Sequence, residues 1–171
     1  MLRLFLLSVL TSIPIFAQLG ANPLSPMREG LDRKEAVKIT DNIYQAIGFG
    51  NTFLVTTPEG NVIIDTSSVL AAPLHVKLLK ARSAGPVKYI ILTHGHGDHT
   101  GGVDLWKEPG TEVIAQKNQA EFLNYQERLN RFFAIRNSAQ FVFPTPPAMK
   151  WAESPLTAPA IPIVAEPAAQ H

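Results

Sequence analysis

Ile91-Leu92-Thr93-His94-Gly95-His96-Gly97-Asp98-His99-Thr100-Gly101-Gly102 places three histidines and an aspartate within six positions, directly after an apolar run. Only His75 and His171 lie outside this cluster. Packing does not explain such a concentration of metal-ligating side chains. Imidazole suits zinc, iron and related ions, and carboxylate completes the set. His94 and His96 are two apart, so on an extended segment they point the same way and reach one ion. Asp98 and His99 follow on a turn leading into a helix and point toward a neighbouring position. Gly95 and Gly97 allow a tight backbone path. Two adjacent metals, or one metal with a nearby carboxylate, bind a water and bring its pKa toward neutrality. Asp98 then orients the hydroxide or takes its proton, which makes it the candidate catalytic residue as well as a candidate ligand. Asp98 alone also reads as the N-cap of the following helix.

The segments around the cluster define the fold class. Val37 to Ile39 and Ile43 to Ile47 read as short strands. Thr52 to Thr56 and Asn61 to Thr66 flank the turn-forming Pro58-Glu59-Gly60 and read as a hairpin. Leu70 to Ser83 carries Leu74, Leu78 and Ala81 at helical spacing, and Gly85-Pro86 stops it. Val87 to Leu92 is the strand whose end begins the cluster, and Thr111 to Ala115 is a further strand. Asn118 to Gln140 reads as one long helical stretch with Phe122, Leu129, Phe132 and Phe133 as its apolar stripe. The order argues for an α/β layered domain, where ligand sites lie beyond the C-terminal ends of strands. Asp65 ends a buried-type strand and reads as a turn former or a partner behind the metal ligands rather than a catalyst. His75 reads as a surface histidine or one satisfied in place. Trp106 and Trp151 carry no site information.

The chain has 171 residues, 46% of them hydrophobic and 17% charged, with a formal net charge of +1. That balance gives one domain with a real core and no sign of a nucleic-acid partner. There are no cysteines, so disulfides and thiolate metal sites are excluded. Arg3 precedes an apolar run from Leu4 to Phe16, then Ala17, which predicts a signal peptide over residues 1–17 and a periplasmic or secreted protein. The run is too short for a stable membrane span. Residues 18–33, with Pro23, Pro26 and Gly30, read as a linker. Seven of the fourteen prolines fall between Phe141 and His171, so residues 141–171 read as an extended or disordered tail.

The stretch from Thr93 to Gly102 resembles the signature of the metallo-β-lactamase-fold superfamily. Asn51-Thr52-Phe53-Leu54-Val55 and Gly60-Asn61-Val62-Ile63-Ile64-Asp65-Thr66 look like that family's opening hairpin. The resemblance covers about residues 34–140. It implies an αββα sandwich with Zn2+ at one edge, one or two ions, other transition metals being possible. It assigns His94 and His96 to the first metal, and Asp98 and His99 to the second. The implied activity is a hydrolase that attacks an ester, amide or sulfate-type bond of a small-molecule substrate. Asn118 to Phe141 is similar to alkyl-sulfatase-like members. Family members supply further ligands from the second half of the fold, which has no counterpart here. His171 is a poor substitute on a terminal tail, and Glu153 and Glu166 share that weakness. The expectation is therefore an N-terminal half-sandwich, truncated or paired with a second copy, with an apolar sheet face in need of cover. The alternative reading is a catalytically inactive metal-binding fragment.

Overall fold

The computed structural model describes residues 25–141, a six-stranded mixed sheet with helices. The strands are β1 (Val37–Lys38), β2 (Ile43–Ala46), β3 (Thr52–Thr57), β4 (Gly60–Ile64), β5 (Val87–Leu92) and β6 (Glu112–Ala115), in the spatial order of the chain. β1 to β4 form an antiparallel meander. β4, β5 and β6 run parallel. The antiparallel part is joined by short turns. Each parallel step needs a crossover, and helices supply it. The crossover from β4 to β5 carries α1 (Ala72–Lys80). That from β5 to β6 carries α2 (Gly97–Thr100) and α3 (Val103–Trp106). α4 (Gln119–Arg128) and α5 (Asn130–Gln140) follow. Among the described residues, no helix is long and apolar enough to cross a membrane.

Alternation along the strands sorts the two sheet faces. Leu54, Ile63, Ile90 and Val113 are neighbours in register and all buried. They share one core with Leu78 and Leu79 of α1 and Val103 and Trp106 of α3. The opposite face carries Phe53, Val55, Val62, Ile64, Ile91 and Ile114, also in register. These side chains are only half-buried, and Tyr89 beside them is 41% exposed. One apolar face is thus packed under helices and the other is only half-covered among the described residues, as expected for half of a two-sheet sandwich.

Three sequence expectations change in the structure. The stretch from Asn118 to Gln140 is two helices, broken at Leu129, whose φ of −105° and ψ of 22° leave the helical region. Its predicted stripe does not form a core: Leu129 is 39% and Phe132 59% exposed, while Leu123 and Ala134 are the buried positions. Part of the predicted linker is packed. Pro26–Arg28 forms a 3-10 turn, Ser25 and Met27 are buried, and Ser25 Oγ donates to the Phe141 carbonyl at 2.8 Å. Met27 packs against Phe49, Leu70 and Phe141, which explains why this stretch is ordered against the domain. The predicted signal peptide, nearly all of the tail and His171, Glu153 and Glu166 lie outside the described residues.

Candidate metal centre

The histidine cluster begins at His94, two residues after β5 ends, and α2 starts at Gly97. His96, not Asp98, is the N-cap of α2. Asp98 falls in the first turn, and no side chain caps the helix. This corrects the capping role for Asp98 and leaves its carboxylate uncommitted to the backbone. The four candidate ligands are brought together. The ring of His94 lies 4.8 Å from that of His96 and 4.0 Å from that of His99, centroid to centroid. His99 Nε2 is 3.5 Å from Asp98 Oδ2.

The loop after β4 holds this arrangement. Thr66 N–H and Oγ1 both donate to the His99 carbonyl, at 2.7 and 3.0 Å. The same hydroxyl accepts from Gly102 N–H at 3.1 Å, and Gly101 N–H donates to the Ser67 carbonyl. On the other side, Gly50 has a φ of +73°, and an added Cβ would overlap the Asp98 carbonyl oxygen. The turn after β2 therefore approaches α2 as only glycine allows.

Asp65 is the hub. It is buried, with a φ of 54° that aspartate tolerates better than most residues. Its Oδ1 accepts from Thr93 N–H at 2.9 Å. Its Oδ2 accepts from Thr93 Oγ1 and from His99 Nδ1, each at 2.7 Å. Burial alone pushes this carboxyl up, but the bonds from His99 and Thr93 outweigh it and hold it below the usual carboxylate range. The Thr93 hydroxyl has one proton and gives it to Asp65. It must then accept from His94 Nδ1, 3.0 Å away. In their neutral forms His94 and His99 thus both carry the proton on Nδ1, which leaves Nε2 of each as the ring nitrogen outside this network.

The donor chemistry fits a divalent transition metal. Two imidazoles have their tautomers fixed by a buried carboxylate, as metal-binding histidines require. His96 and Asp98 stand beside them. The ligand count is smaller than the chemistry: among the described residues, no three His, Asp or Glu side chains converge as a metal-holding group. The proton affinities also divide. Burial, then the neighbouring imidazoles His99 and His96, lower the His94 pKa. The Asp65 hydrogen bond raises that of His99. An arriving cation therefore competes with a proton mainly at His99.

A cavity of about 430 Å³ opens beside His96 and Asp98. Phe49, Phe122, Phe133 and Phe141 form much of its wall. The Phe122 ring meets the His96 ring edge-to-face at 5.8 Å. These wall residues were not singled out from sequence as site residues. They come from distant segments, and only the tertiary arrangement joins them. Thr66 and Thr93 were missed for the same reason. Asp65 does take the supporting position read for it. His75 does not belong to the site: it is fully buried in α1, with Nδ1 3.0 Å from Thr52 Oγ1. The reading of His75 as a surface histidine is corrected.

The metallo-beta-lactamase superfamily model matches residues 46–150. A UPF0173 metal-dependent hydrolase of Chloroflexus aurantiacus is 40% identical over 78 residues, covering 45% of this chain and 32% of the relative. The lactamase-like protein nscB of Arthroderma gypseum is 43% identical over 54 residues, covering 31% and 17%. The chain thus spans about a third or less of the length of these curated relatives. Among solved structures, BJP-1, a subclass B3 metallo-beta-lactamase of Bradyrhizobium japonicum, is similar at 25% identity and a TM-score of 0.50, covering 57% of this chain and 38% of that one. A double mutant of the sec-alkyl sulfatase PisA1 shares the fold at 22% identity and a TM-score of 0.52, covering 62% and 18%. With a family model over more than half its length, this chain belongs to the metallo-beta-lactamase superfamily.

Proposed function

We propose that this chain carries the metal-binding half-site of a metal-dependent hydrolase, with zinc as its ion and an ester, amide or sulfate-type bond as its target. The observation that carries this reading is the Asp65 network, which engages both rings through Nδ1 and leaves Nε2 of His94 and His99 outside it, that of His99 3.5 Å from Asp98 Oδ2. His94 and His96 would hold the first ion, and Asp98 and His99 a second. A bound divalent ion supplies a Lewis acid and a water of near-neutral pKa. Asp98 accepts the proton of the attacking water at its carboxylate and returns it to the leaving group. Asp65 keeps His99 in the ligating tautomer, and the aromatic wall limits the access of bulk water to the reacting group. The test is release of p-nitrophenol from p-nitrophenyl esters with added zinc. Turnover that is lost on chelation and in Asp98→Asn supports the reading. Turnover indifferent to both refutes it.

A second reading, a catalytically inactive metal-binding fragment, is favoured by one observation: no three ligands converge among the described residues. Zinc retention with no turnover toward any ester, amide or sulfate would select it. We further propose that the half-covered sheet face is fully covered in the working protein, by a second copy or by a C-terminal half; sedimentation of the purified chain separates a dimer from a monomer. The Arg3 to Phe16 stretch supports export to the periplasm, which cell fractionation checks.

A further inference from the structure

The cavity beside His96 and Asp98 has a composition that bears on its ligand. Five of its walls are Met27, Phe49, Phe122, Phe133 and Phe141. They are not independent surfaces. Phe49 and Phe141 meet edge-to-face at 5.1 Å, and Met27 packs against both. Phe133 is braced by Tyr125 and Phe132, at 5.9 and 5.4 Å. Phe122 joins this wall to the His96 ring. An apolar body entering here therefore lies directly against the metal-centre side chains.

Arg136 also lines the cavity, three residues after Phe133 and so on the same side of α5. Its polar partner among the described residues is Asn137 Oδ1 at 3.3 Å, and no carboxylate pairs with it. Asp98 is the sole acid among the lining residues, and it belongs to the proposed metal centre. A guanidinium facing an aromatic-walled cavity without an acidic partner is a seat for an anion. It offers a planar donor fork suited to a carboxylate or a similar oxyanion. A neutral apolar ligand would fill the walls and leave the charge unused.

We propose that this cavity takes amphiphilic anions: molecules with an apolar body held by the phenylalanine walls and an anionic group, remote from the reacting bond, received by Arg136. The proposal rests on the hydrolase reading for the identity of the reacting end, and it adds the substrate class. Arg136 is in this account a specificity-determining residue, not a catalytic one.

The test is calorimetric titration of the full chain, as purified, with sodium octanoate, octanamide and sodium acetate. Octanoate should bind about tenfold or more tighter than octanamide, as expected for loss of one charge-assisted pair, and acetate should not bind measurably. Arg136→Gln should weaken octanoate about tenfold and leave octanamide unchanged, while Phe133→Ala should weaken both. Circular dichroism confirms the fold of each variant. Equal binding of octanoate and octanamide overturns the proposal, as does failure of octanoate to bind. Octanoate binding that survives Arg136→Gln but is lost in His96→Ala places the carboxylate at the metal centre and also overturns it. The readout needs no turnover. Octanoate binding without ester hydrolysis would sink the hydrolase reading alone, and hydrolysis without octanoate binding would sink this proposal alone.

Discussion

Acidification should destabilise the domain through His75, and the size of the effect follows from its burial. The imidazole is wholly inside the core, with Nδ1 on Thr52 Oγ1. Burial pushes its pKa down to about 4, against a smaller upward pull from the Ile47 backbone. In the unfolded chain it titrates near about 6.5. Above that value both states are neutral and the folded state keeps its full stability. Below it the unfolded chain takes up a proton that the folded chain refuses, until the folded histidine itself protonates near pH 4. Between about pH 7.5 and 5 the loss is about 2 kcal/mol. For a chain of this size that is about 4–8 °C in Tm. The assay is thermal unfolding by circular dichroism at both pH values, with chelator present, for the wild type and for His75→Asn. The variant keeps a partner for Thr52 and has nothing to titrate. Every other ionisable group is common to the two proteins and cancels in the comparison. An equal drop in Tm for the two proteins would refute the assignment of a buried, neutral His75.

Other substitutions probe the site and its support. Asp65→Asn keeps a residue that accepts the positive φ but weakens the hold on His99 and Thr93; zinc affinity by competition with a chromogenic chelator should fall about 10–100-fold while the far-ultraviolet spectrum is retained. Gly50→Ala should cost more than about 2 kcal/mol in urea unfolding, because the left-handed conformation alone costs about 1–2 kcal/mol and the new methyl overlaps the Asp98 carbonyl. Leu79→Ala empties a fully buried position beneath the sheet and should cost about 2–5 kcal/mol by the same assay, without changing zinc affinity per folded molecule.

Much of the sheet was legible from local pattern. Val87 to Leu92 was read to the residue, and the Pro58-Glu59-Gly60 turn located the hairpin of β3 and β4. Turn chemistry and alternation act over a few residues, so the sequence carries them openly. The break at Leu129 carried no proline or glycine to announce it. It arises where Leu123 and Ala134 are each drawn into the protein, a demand set by tertiary packing. Asp65 could be seen at a strand end. That it ties together Thr93 and His99 depends on the parallel pairing of Ile64 with Ile91, which sets the two strand ends side by side. The ligand cluster was readable because its members are consecutive. The cavity was not, because Phe49, Phe122 and Phe141 meet only after folding.

His94, His96, Asp98 and His99 are proposed to form a metal-binding centre supported by Asp65. Elemental analysis of the purified chain after equilibrium dialysis against zinc, with His96→Ala alongside, tests it most directly. At least one zinc per chain is expected in the wild type, with a clear loss in the variant. A metal-free wild type, or equal zinc in both proteins, would contradict it.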